Sequence, residues 1–178
     1  MLEKPFLQNQ YQIILKVKKT IDNETVYNHL EKLENAYILH RCSRYDIQGK
    51  EPLKTQEKFY LADTSLSHSV WGYKPTSISA MLENVVYLEL CRRGYSVNIG
   101  KASNGEIDFI AEKQGDKIYV QVTKKIKSEE TEKREYDRLL EIRDNYPKYL
   151  LTTDSFAGGN YEGIKTMHIS DFLLSDEF

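Results

Sequence analysis

A chain of 178 residues is long enough for one good core, or for one core with a small satellite unit. Its 40% apolar and 29% charged content is that of an ordinary globular protein, which argues against disorder. The formal net charge of −2 argues against a generally basic nucleic-acid binder, though not against a local basic groove. Cys42 and Cys91 form no C-x-x-C and have no companion histidine spacing. That pattern speaks against structural zinc and suits a reducing, cytoplasmic setting. The N-terminal stretch has no apolar h-region, and no apolar run approaches the roughly 18 residues of a membrane span, so a soluble protein with no membrane partner is expected.

Residues 1–22 are the hardest to read, since Pro5 interrupts early and QIILKVKK suits a strand or a helix. Asp22 or Asn23 can cap a helix, ETVYNHLEKLENA, with Val26, Leu30, Leu33 and Tyr37 at helical spacing. YILHRCSRYDI and EKFYLAD read as strands around the turn segment QGKEPLKT. A helix and a long-looped hairpin match the back half of a winged helix. This predicts a partial winged-helix-like α+β unit over 1–65, a Gly/Pro-punctuated linker over 66–76 and a second unit over 77–178.

The second unit opens with the helix SISAMLENVVYLELCRRG, capped by Ser77 or Ser79 and stopped by Gly94. YSVNIG, GEIDFIAE and DKIYVQVTK follow as strands. A charged helix begins near Ser128 and reads as a solvated face; KYLLTTD and TMHIS are the last strands. The order is α/β around a mixed sheet. GGNYEGIKT only approximates a phosphate-binding P-loop, because Ile164 separates Gly163 from Lys165 and a strand follows it, so no ATP site is expected in this chain.

The hairpin EIDFIAEKQGDKIYVQVTKK carries the chemistry. With KQGD as its loop, Glu112 faces Lys117 and Asp108 faces Gln121. Period-two alternation then puts Ile107, Phe109, Ala111, Ile118, Val120 and Val122 on a core face. Glu106, Asp108, Ile110, Tyr119, Gln121 and Thr123 fall on the other, read either as a wet face or as a metal-binding one. On the second view Asp108 and the Gln121 amide oxygen reach one Mg²⁺ or Mn²⁺ ion.

These residues, an aspartate followed about a dozen positions later by an acid-x-Lys-like strand, resemble the PD-(D/E)xK (restriction-endonuclease-like) superfamily. More closely, NETVYNHLEKLENAYILHRCSRYDIQGKEPLKTQEKFYLAD, MLENVVYLELCRRGYSVNIGK, EIDFIAEKQGDKIYVQVT and DNYPKYLLTTD resemble the C-terminal region of a family of AAA-type ATPases. The tail of that family is a domain of unknown function with a nuclease-like fold. The resemblance covers roughly residues 22–174. It implies a restriction-endonuclease-like mixed sheet flanked by helices, shortened at its N-terminus relative to the family.

It also implies that Glu83 is the helix glutamate aimed at a metal and Asp108 the central aspartate. Gln121 stands where active nucleases have Asp or Glu, and Thr123 where they have Lys. Losing a metal-binding charge and a water-positioning cation removes transition-state stabilisation. Lys124 points to the opposite face, and Lys125 lies about 6.8 Å further along the strand as a substitute lysine. The expected function is a nuclease-like module with a degraded site, binding DNA or RNA, or a protein partner or a second copy of itself as a homodimer, without catalysis. The alternative is a divalent-metal-dependent endonuclease using Glu83, Asp108, Gln121 and Lys125.

Overall fold

The computed structural model describes residues 22–103, 105–124, 129–155 and 157–175. The N-terminal segment 1–21, Lys125 and the Ser128 cap lie outside these described residues. Helix α1 (Asn23–Asn35) starts where Asp22 accepts a hydrogen bond from Thr25 N at 2.7 Å, and it buries Leu30. Strands β1 (Leu39–Asp46) and β2 (Glu51–Leu61) follow as an antiparallel hairpin. Its connection is shorter than expected. Pro52 sits inside β2, where an edge strand tolerates a missing N–H.

The stretch expected as a linker is partly helical: α2 (Ser65–Trp71), then a 3₁₀ turn at Pro75–Ser77. Asp63 accepts from Ser65 N at 2.8 Å to start α2, and Gly72, at φ 70°, ends it. The 3₁₀ turn feeds directly into α3 (Ile78–Arg92), so Ser77 makes no side-chain cap bond. Gly94, at φ 85°, closes α3 as anticipated.

Strands β3 (Ser96–Ala102), β4 (Gly105–Lys113) and β5 (Asp116–Thr123) lead to α4 (Glu129–Leu140). Then come β6 (Lys148–Thr152), β7 (Asn160–Tyr161), β8 (Ile164–His168) and a final helix, α5 (Ile169–Leu174). The sequence reading had no α5. Its Ile169 and Phe172 are buried.

Among the described residues, eight strands form one mixed sheet in the order β2-β1-β3-β4-β5-β6-β8-β7. The β1–β2 hairpin therefore continues the sheet of the expected second unit through parallel pairing of β1 with β3. The near-P-loop segment is the tight β7–β8 hairpin, with Glu162 and Gly163 both at positive φ.

Both sheet faces are covered. On one, Val86, Tyr87 and Leu90 of α3 and Phe172 of α5 pack against Phe109, Ala111, Ile118, Val120 and Leu151. On the other, Tyr136 and Leu139 of α4 pack against Ile107, Ile110, Tyr119 and Leu150. The face that could have been wet is thus a second core, with Ile110, Tyr119 and Gln121 at 1%, 3% and 3% exposure. Strands with parallel neighbours and a helix on each side are buried on both faces.

Ile107 also departs from simple alternation, since it shares the α4 side with Ile110. Between β3 and β4 the pairing passes from Asn98↔Ile110 to Gly100↔Ile107. Asp108 and Phe109 therefore oppose Ile99 alone. That is a β-bulge, and one inserted residue reverses the facing of everything before it. The β4–β5 register itself agrees with expectation, Glu112 facing Lys117, with the turn tightened to Gln114 and Gly115, at φ 54° and 92°.

Candidate active site

Helix α3 meets the hairpin through two consecutive polar residues. Asn84 is buried and grips the backbone of Leu61, accepting from its N–H at 2.8 Å and donating to its carbonyl at 2.9 Å. That bidentate clamp satisfies both amide groups and fixes α3 over β2. Glu83, one residue earlier, is consequently held above Lys58 and Tyr60, which share a face of β2 at i, i+2. Lys58 Nζ donates to Glu83 Oε1 at 2.8 Å, and the Tyr60 hydroxyl donates to the same oxygen. Burial, and then the Glu83 carboxylate, raise the Tyr60 phenol well above its ordinary value, so it remains a donor.

From β4, Glu106 approaches the same ammonium, with Oε2 3.8 Å from Lys58 Nζ, and is also paired with Arg44 of β1. Burial alone would lower the Lys58 pKa. The carboxylates of Glu83, Asp108 and Glu106 outweigh it and hold the amine above the ordinary lysine value. Lys58 is therefore a cation at neutral pH.

Asp108 lies in the bulge, where a strand re-aims side chains. Its Oδ2 accepts from Val122 N at 2.8 Å. Burial is the largest influence on this carboxyl and the nearby Glu83 charge the next. Together they exceed the opposing pull of Lys58 and the Val122 hydrogen bond, pushing its pKa up to about 8.

Gln121 is engaged at both ends. Its Oε1 accepts from Asp108 N at 3.2 Å, and its Nε2 donates to Glu135 Oε2 of α4 at 3.1 Å. Glu135 is buried and also binds Arg138 and Arg134, each at 3.0 Å. A carboxylate at position 121 would press against Glu135, which is a physical reason for the amide there. The α4 face read as solvated is so at Lys133, Arg134 and Asp137, but Glu135 and Tyr136 turn inward.

The structure thus brings Glu83 and Asp108 into one cluster around Lys58, and sets Gln121 beside Asp108 with its oxygen committed to the β4 backbone. Thr123 pairs with Thr152 of β6, and Lys124 is exposed. Among the described residues, no three His, Cys, Asp or Glu side chains stand close enough to share a metal ion. Of the donors expected for Mg²⁺ or Mn²⁺, Glu83 Oε1 accepts from Lys58 and Tyr60, and Gln121 Oε1 accepts from Asp108 N. Lys58 and Glu135 were not found by sequence reasoning, because no local spacing links them to Asp108. The one signal for Lys58 was its period-two relation to Tyr60 in KFYLAD.

Fold and site together define a mixed α/β protein with a partly buried ion cluster where α3 crosses β2 and the bulge of β4. Residues 8–77 match a family described as "Domain of unknown function (DUF8612)". Over 152 residues, 85% of this chain, the sequence is 42% identical to an uncharacterized protein of Haemophilus influenzae. The chain spans 37% of that relative's length. It is also 32% identical over 94 residues to an uncharacterized protein of Methanocaldococcus jannaschii, covering 51% of this chain and 20% of the relative. No solved structure matches. Among the described residues, no helix is long and apolar enough to cross a membrane.

Proposed function

We propose that the chain is a nuclease-like module, of the kind carried at the C-terminus of AAA-type ATPases, that binds nucleic acid without cutting it. The carrying observation is the double engagement of Gln121, whose oxygen accepts from Asp108 N and whose amide nitrogen donates to Glu135, so that both ends of the side chain are already occupied. The cluster also favours a functional site over a purely structural one. Concentrating Glu83, Glu106, Asp108 and Lys58 under a helix costs desolvation that an apolar contact would not, and a carboxyl pushed up to about 8 marks a place built for interaction. The much greater length of the Haemophilus influenzae relative leaves room for a further module in proteins of this type.

The test uses labelled single- and double-stranded DNA and RNA with Mg²⁺ or Mn²⁺, with Asp108→Ala alongside. Retarded but uncut nucleic acid is the expected result. Cleavage that Asp108→Ala abolishes would replace this reading with the endonuclease one, and neither binding nor cleavage would turn the search to protein partners.

A further inference from the structure

We propose that Lys58, delivered by the hairpin strand β2, is the residue that contacts a phosphodiester group of nucleic acid bound at the Glu83–Asp108 cluster. The inference deepens the proposed function and rests on it. A lysine ammonium has three donors, and at Lys58 one is used by Glu83 at 2.8 Å, while Glu106 at 3.8 Å is an ion-pair partner beyond hydrogen-bond range. The side chain keeps 26% of its exposure, so the ammonium is both held and reachable.

Fixing comes from several directions. Glu83 is set by the Asn84 clamp on Leu61, Tyr60 shares the Glu83 oxygen, and Glu106 is held from its other side by Arg44. A cation positioned in advance by its own acids loses little freedom when an anionic oxygen arrives. The acids hold its pKa above the ordinary lysine value, so at neutral pH it serves as an electrostatic clamp rather than a proton donor.

Thr123 offers no charge, and Lys124 lies beyond the end of β5 on the exposed surface. Lys58 reaches the cluster from across the sheet.

The experiment measures binding of a short labelled DNA and of the matching RNA to the full chain across a salt series. Four proteins are compared with the wild type. Lys58→Met removes the ammonium, and Lys58→Arg keeps a charge. Lys58→Met combined with Glu83→Gln removes it without leaving the Glu83 carboxylate unpaired, and Lys113→Met, five residues further along β4 than Asp108, is the control. The expectation is about a tenfold loss at low salt for Lys58→Met and for the double variant. The slope of log K against log salt should also flatten by about one unit, the mark of one lost phosphate contact. Lys58→Arg and Lys113→Met should stay within about twofold of wild type.

Wild-type binding with an undiminished affinity and slope in a folded double variant would overturn the inference while leaving the proposed function in place. Absence of binding by the wild type would overturn both.

Discussion

Restoring an acid at position 121 is the sharpest test of how the site is wired. Gln121 is 3% exposed and donates from Nε2 to Glu135 at 3.1 Å. In Gln121→Glu one oxygen can still accept from Asp108 N, but the other meets the Glu135 carboxylate. Two unit charges at such a separation repel by about 5 kcal/mol at an effective dielectric of about 20. Arg138 and Arg134, already on Glu135, offset part of this.

Proton uptake caps the rest. Neutralising the introduced carboxyl at pH 7, about 2.7 units above an ordinary glutamate value, costs about 4 kcal/mol. The expected loss of stability is therefore about 3 kcal/mol at pH 7, shrinking to about 1 kcal/mol at pH 5, where protonation is nearly free and the new O–H can donate to Glu135. Urea denaturation at the two pH values reads this directly. The swap Gln121→Glu with Glu135→Gln returns a donor–acceptor pair across the same gap and should recover at least half of the loss. A single variant as stable as wild type at both pH values, or a swap no better than the single change, would refute the reasoning.

Three further outcomes are expected. Asp108 binds its proton more tightly when folded, because burial and Glu83 push its pKa from 3.8 up to about 8. Its contribution is fully present below about pH 4 and is lost as pH rises through about 8, so wild-type stability should fall across that window by a few kcal/mol, and Asp108→Asn should flatten the decline in urea titrations. Gly100→Ala should cost about 1–3 kcal/mol by overpacking, since an added Cβ would lie 3.0 Å from Ile107 Cβ and from Ile47 Cδ1; an unchanged melting midpoint would count against the packing described. Thiol labelling of the folded protein should be confined at early times to exposed Cys91. Cys42 is buried and its thiol is pushed up to about 12 by that burial, so it should react only as the protein unfolds, as mass spectrometry of the labelled peptides would show.

Much of the architecture was legible in the chain because it depends on local chemistry. Asp22 as a cap, Gly94 as a stop and the Glu112–Lys117 register each follow from side chains within a few residues of one another. The mixed sheet followed from the order of helices and strands. Helices α2 and α5 escaped because short segments carry too little periodicity to stand out from loops.

The hairpin register set Asp108 opposite Gln121, whereas Glu83 was singled out only by the resemblance. The hairpin's faces were misread at Ile107, because a bulge is created by pairing with β3, and nothing within β4 announces the extra residue. What only the tertiary structure decided is the charge plan of the site. Lys58 comes from 50 residues upstream of Asp108 and Glu135 from a helix beyond β5, and both arrive by sheet order and helix packing. Electrostatic partnership depends on distance in space, and sequence spacing reports that distance only within a single helix, strand or turn.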